Sequence, residues 1–295
     1  MKSIKVLLAV MCLVVVSIPV VSVAQLPTPA SVAGGSFSFT TIDFPGASRT
    51  RANGLNNAGD IVGDYTDSSG RHGYLLQNGN FTSFDPPGSI QTRGLVITNG
   101  GVIGGRFVDS NNVSHGYLLD HGAFTILDFP GATATFLQGL NDRGQVVGAY
   151  NDSAGNQHGF LLSGNTYSTI DFPGAVTGTV AGDMNDKGQI IGNYGDASGN
   201  TRGFLLSAGT FSKIDFPGAL DFTFPSGITN NGEIVGGYDD SNGTFHAFIL
   251  IASNFSTVDF PGAFLTQAFR ANEAGQIVGV YNLAGQHGFL ATPSR

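Results

Sequence analysis

Seven residues, TIDFPGA, occupy positions 41–47 and return as SFDPPGS, ILDFPGA, TIDFPGA, KIDFPGA and TVDFPGA. Their aspartates fall at 43, 85, 128, 171, 215 and 259, in steps of 42, 43, 43, 44 and 44 residues. A period near 43 that runs over most of the chain confines the fold to architectures built from repeated units.

Each period holds four strand candidates, here a to d, separated by turn residues. In the first period they are residues 50–55, 61–65, 72–76 and 81–84. Between them lie Asn56-Asn57-Ala58-Gly59, Asp67-Ser68-Ser69-Gly70 and Gln77-Asn78-Gly79. Asn and Asp bond their own backbone in turns, and Gly supplies positive φ at no steric cost. Composition agrees. The chain has 44 Gly, and of its 21 acidic residues only Glu233 and Glu273 are not Asp. Beyond the N-terminal segment no stretch keeps a helical period.

Four antiparallel strands in such a unit match the size of a propeller blade. The sequence therefore predicts an all-β fold, a six-bladed β-propeller of four-stranded blades over residues 36–295. The chain opens on a lone strand d, residues 37–42, and closes on strands a, b and c at 266–271, 276–281 and 287–290. One blade is expected to be shared between the termini, with the N-terminal strand pairing the C-terminal three so that no edge stays free. A β-solenoid is the alternative, but its repeats are usually shorter and need caps. In the propeller, DFPGA carries strand d into the next strand a. Pro stops pairing, Gly takes the bend, Phe fills the gap between blades, and Asp is expected to accept from the bend amides.

The first 24 residues read as a secretory signal peptide: Lys2 and Lys5, an apolar run from Val6 to Val23, and the small-residue exit Ser22-Val23-Ala24. An uncleaved membrane anchor is the alternative. Residues 25–35 form a polar linker. The single cysteine, Cys12, lies inside the signal, so the exported product is expected to hold no disulfide. Losing Lys2 and Lys5 leaves 11 basic against 21 acidic residues, net −10, which argues against a nucleic-acid partner.

The units resemble the HAF family, an extracellular repeat of exported bacterial proteins. The resemblance rests on His72-Gly73-Tyr74, His115-Gly116-Tyr117, His158-Gly159-Phe160, His246-Ala247-Phe248 and His287-Gly288-Phe289, with Arg202-Gly203-Phe204 departing. Residues 54–63 and 139–148 add the family's Gly-Leu-Asn-x-x-Gly-x-Ile/Val-Val-Gly pattern. It implies export and a repeat fold over the whole exported chain, and transfers no catalytic residue.

Five histidines at equivalent positions invite a metal reading, yet equivalent places in a ring stand far apart, while zinc needs its ligands to converge at about 2.0–2.3 Å. A structural network is the expected role: His72, His115, His158, His246 and His287 with Asp67, Asp109, Asp152 or Asp240, threonines such as Thr50 and Thr135, and the bend aspartates Asp43, Asp128, Asp171, Asp215 and Asp259. Arg202 would donate to the same carboxylate. The b–c turns offer calcium one or two carboxylates where about six to eight oxygens are needed, so hairpin chemistry is the expected cause of their Asp. No metal or other cofactor is therefore expected, with calcium the one ion to test.

Departures from the repeat are the better guide to function. Strand a lines the channel of a propeller. There Arg51 and Arg93 replace Phe136, Val180, Phe224 and Gln267, while Asp183 and Arg270 replace Gly54, Val96, Gly139 and Gly227. An ordinary water-filled channel is the plain reading of these positions; the sharper one is a channel-mouth pocket for a polar ligand built from Arg51, Arg93, Asp183 and Arg270. No nucleophile elbow, phosphate loop or zinc-protease helix is present. The expected function is a secreted, extracellular or periplasmic, non-catalytic binding or scaffolding monomer with a protein or carbohydrate partner. The Asp-rich face favours a basic protein, a cation or a neutral sugar. A polysaccharide hydrolase or lyase using Asp near the channel mouth, and a purely structural surface protein, are the other readings.

Overall fold

Turn residues at short intervals leave no room for long elements, and the 24 strands among the described residues run from four to nine residues. The structure is a computed structural model that describes residues 36–294; the signal peptide and linker assigned to residues 1–35 lie outside them, as does Arg295. Every element in it is a β-strand. Among the described residues no helix is long and apolar enough to cross a membrane.

The first unit consists of Arg49–Leu55, Ile61–Thr66, Arg71–Gln77 and Asn80–Phe84, paired antiparallel in that order. The same meander recurs along the chain. At its ends, Phe37–Ile42 pairs antiparallel with Gln286–Pro293, from Phe37 opposite Pro293 to Ile42 opposite Gly288. The N-terminal strand thus lies as fourth strand beside the last three.

The sheets are not all separate four-stranded bodies. Two have four strands and one has 16. Within the large sheet, successive four-stranded sets are joined by single parallel bridges: Arg49 with Gln286, Arg71 with Gln91, and Phe245 with Leu265. These arise where strand c of one unit leans against the start of the next strand a.

The third residue of each His-Gly-Phe triplet is the core anchor. Tyr74, Tyr117, Phe160, Phe204, Phe248 and Phe289 are all fully buried. Each ring covers the glycine of the strand b beside it. A Cβ on Gly148 would collide with the Phe136 carbonyl oxygen and lie 2.8 Å from the Phe160 ring. Glycine is required there because backbone and ring already fill the space, not because of its φ. Apolar clusters then join neighbours, as where Val235, Ala247 and Ile249 meet Ala268, Ile277 and Phe289.

The DFPGA bend serves two units at once. Phe44 stacks on Tyr65 of the following strand b at 3.6 Å between ring centroids, and the pairs Phe129–Tyr150, Phe172–Tyr194, Phe216–Tyr238 and Phe260–Tyr281 repeat this at 3.5–3.7 Å. The Phe44 amide donates to Thr50 Oγ1 at 2.9 Å, as Phe129 does to Thr135. In the second unit Pro86 replaces Phe and has no amide to give, and Thr92 Oγ1 donates to Ser89 Oγ instead. Threonine therefore caps the bend and is no part of a Thr–His–Asp set.

Gly148→Ala forces a methyl against backbone and should cost about 2–3 kcal/mol. Thermal unfolding checks this: the midpoint should drop by roughly 5 °C or more.

Candidate functional site

Strand a of every unit carries one residue more than strand b can pair. The register slips at Ala52/Gly54, Gly94/Val96, Leu137/Gly139, Ala181/Asp183, Pro225/Gly227 and Ala268/Arg270. A bulge re-aims the residue it inserts. Here those residues are Asn53, Leu95, Gln138, Gly182, Ser226 and Phe269, and all six line one cavity of about 180 Å³. Each strand a also touches the strand a of the next unit, and the last touches the first, so the cavity sits where they converge.

Arg51, Arg93 and Arg270 line this cavity, but Asp183 does not. The expected four-residue pocket is corrected in that respect. Asp183 lines a separate, more open cavity between the a–b turns, and Arg270 lines both. Arg270 reaches across from its own unit: its guanidinium donates to the Ser226 carbonyl, to Phe269 O at 2.9 Å and to Gln138 O at 2.7 Å. Its Nε lies 3.4 Å from Asp183 Oδ2, which also accepts from the Ile228 amide at 3.0 Å. Burial pushes the Asp183 carboxyl up and the Arg270 guanidinium down, and each partly restores the other's charge. Asp183 is thus a buried counter-ion that fixes Arg270, not a group open to a ligand.

Sequence reasoning missed Arg106 and Asp64, which stand on strand b directly opposite Arg93 and Arg51. Aligning strand b would have revealed them, since the register-equivalent residues are Ala149, Asn193, Gly237 and Val280. Asp64 is almost fully buried, takes Asn53 Nδ2 at 2.8 Å and lies 3.5 Å from Arg71 Nε. Arg51 lies over the Phe269 ring, 4.8 Å from its centroid, and Arg106 lies over Phe136 at 5.7 Å. Burial lowers the pKa of Arg51, Arg93 and Arg106, and for Arg93, with Arg106 as the next cause, it falls to about 10. The acidic chain therefore encloses a basic cavity.

The repeated histidines are elsewhere. His158 Nδ1 bonds Asp171 at 3.0 Å while its Nε2 stands 3.5 Å from Asp152, and its ring stacks on Tyr150. His72 sits likewise between Asp85 and Asp67, His115 between Asp128 and Asp109, and His246 between Asp259 and Asp240. His287 bonds Asp43. Arg202 bonds Asp196, and its charge acts on Asp215. Asp43, Asp85, Asp128, Asp171 and Asp259 bond these histidines rather than bend amides, Asp259 adding the Ala247 amide of strand c. In the b–c turns, Asp152 Oδ1 accepts the Ala154 and Asn156 amides, and Oδ2 accepts Asn156 Nδ2. That is the hydrogen bonding of an Asx turn. Among the described residues no group of three or more His, Cys, Asp or Glu could hold a metal.

At the a–b end, six side chains cap six amides in succession. The amide of Asn57 donates to Asn99, Asn99 to Asp142, Asp142 to Asp186, Asp186 to Asn230, Asn230 to Glu273, and Glu273 back to Asn57, at 2.7–3.1 Å. The opposite face is not purely acidic: the residue after the bend is apolar and exposed at Ile90, Val176, Leu220 and Phe264.

Two outcomes test this geometry. Arg270→Met leaves Asp183 buried and unpaired and should cost about 3–5 kcal/mol in thermal unfolding; adding Asp183→Asn should recover part. In an NMR titration His158 and His246 should ionise above the ordinary value. The bond to Asp171 raises His158, and at His246 the Asp259 and Asp240 carboxylates outweigh an opposing burial. Asp171→Asn should bring His158 back down. Because these folded pKa values are raised, the stability they add is complete below about pH 6.5 and is lost as pH rises through the raised values.

No protein-family model matches the sequence, and no curated protein is similar to it. Solved structures do share its fold. A streptogramin B lyase is 14% identical, with a TM-score of 0.52 over 86% of this chain and 97% of that one. The Aleuria aurantia lectin, in complex with Fucα1-6GlcNAc, is 12% identical, with a TM-score of 0.52 over 84% and 96%. TolB from Acinetobacter baumannii is 12% identical, with a TM-score of 0.56 over 79% and 63%. The chain is thus an all-β, propeller-like protein.

Proposed function

We propose that the chain is a six-bladed propeller closed between its termini, exported, and working as a monomeric, non-catalytic binding module whose ligand enters the central cavity. The paired termini support closure, as does the ring of side-chain-to-amide bonds that returns to Asn57. Export rests on the N-terminal segment and on the resemblance to exported repeat proteins. The observation that carries the binding reading is the cavity itself. It concentrates Arg51, Arg93, Arg106 and Asp64 in a fold whose other units place small, amide or apolar residues there. The lectin likeness agrees with a binding role for such a fold.

A polysaccharide hydrolase or lyase is the second reading; the likeness to a streptogramin B lyase supports turnover in such a fold, not the polysaccharide. A hydrolase needs two carboxyl groups free to act on the bond. Asp64 is held by Asn53 and Arg71, and Asp183 by Arg270 and the Ile228 amide. The cavity's one carboxylate is already engaged, which favours binding over hydrolysis.

Thermal unfolding against a panel of small sugars, sugar acids and calcium tests the reading. A ligand at about 100 times its Kd adds roughly 2.7 kcal/mol, which should raise the midpoint by about 5–10 °C. Calcium should leave it within about 1 °C, because the turn carboxylates are already filled by their own amides. If no small ligand moves the midpoint, the channel-binding role is lost and a structural role takes its place.

A further inference from the structure

We propose that the central cavity is an oxyanion site for a small ligand whose carboxylate or phosphate is held between Arg51, Arg93 and Arg106. This rests on the binding role proposed above and names its ligand class.

Three observations converge. First, Arg93 and Arg106 face each other directly across strands a and b. Like charges directly opposite on a sheet are destabilising, so the pair is a cost to the empty protein that an anion between them removes. Second, Arg51 Nε is buried and has no hydrogen-bond partner among the described residues, although its guanidinium is held in place over Phe269. A buried donor left unmade is costly, and no described residue reaches it. Third, the only carboxylate among the cavity-lining residues is Asp64, which is engaged by Asn53 and Arg71. Three guanidinium groups therefore share one neutralising charge that other residues also use.

The chemistry of the donors selects the ligand. A guanidinium presents a planar fork that fits the two oxygens of a carboxylate or phosphate. The stacking of Arg51 on Phe269 and Arg106 on Phe136 presets two of the forks. The walls beyond them are apolar or amide, including Leu95, Val180 and Phe224 with Gln138 and Gln267. They suit a ligand with one anionic group and a compact body carrying hydroxyls and an apolar face, such as a sugar acid. The cavity volume admits roughly ten water-sized groups, enough for one such residue and not for a polymer.

The test uses the purified protein with galacturonate, its neutral counterpart galactose, and inorganic phosphate, read by calorimetry and thermal unfolding at constant ionic strength. Galacturonate or phosphate should bind and raise the midpoint, and galactose should not. Arg93→Met should weaken the anion by about tenfold or more while raising the midpoint of the ligand-free protein, because it relieves the repulsion from Arg106. Arg51→Met should weaken the anion similarly. A stabilised, non-binding Arg93→Met separates a ligand site from a structural arginine, whose loss would lower the midpoint. If galactose binds and neither anion does, the oxyanion assignment is overturned while the binding role stands. If nothing binds, both fall. Anion binding that survives in Arg93→Met and Arg51→Met overturns the assignment to this cavity.

Discussion

A ring lying on a glycine sets the spacing on which the rest of this structure depends. In each unit the aromatic residue of strand c covers a glycine of strand b, whose other neighbour is a strand a carbonyl. No side chain fits between them, so ring, strand b backbone and strand a carbonyl pack in direct contact in all six units. Protein interiors tolerate little change of volume, which is why only Tyr and Phe occur at the ring position and only Gly beneath it.

That spacing gives the DFPGA bend its two tasks. The Asp turns back to the histidine of its own unit where there is one, and the Phe goes forward to the tyrosine of the next. One short motif thereby fastens a unit internally and seals it to its neighbour. The second bend shows the same logic under substitution: Pro86 replaces the Phe, strand b carries Phe107 in place of Tyr, and Thr92 bonds Ser89 in place of the missing amide. Each change removes a partner that another change no longer requires.

The cavity is a local departure built on this regular frame. Bulges at equivalent places aim six residues at the centre, and the frame does not dictate what those residues are. Arginines occupy both facing strands of the second unit, and Arg270 spans the centre to carbonyls of three other units. A chain of net −8 thus carries its concentrated positive charge in the interior. Net charge speaks to solubility and long-range steering. It does not report the sign of the potential inside a cavity lined by a few residues, and so the preference for cations or neutral sugars inferred from the acidic face does not extend to the channel.

The sequence by itself determined the repeat, the four strands of each unit, their turns and the places where the repeat is broken, because all of these are local. Gly, Asn and Asp fix turns within a few residues, and alternation fixes strands. Arg51, Arg93 and Arg270 were legible as departures for the same reason. Only the tertiary structure decided which departures meet. Asp183 is equivalent to Arg270 in the alignment and shares the cavity at the a–b end with it, but its short side chain stays there as counter-ion while the longer arginine reaches the central cavity as well. Arg106 and Asp64 joined the site through cross-strand register, and Phe269 and Gln138 through the bulge. The bend aspartates found histidines 13 residues away, or 244 for Asp43 and His287, where a local reading had given them the nearest amides. Pairing across such distances depends on where the units stack, and no local pattern of residues encodes that.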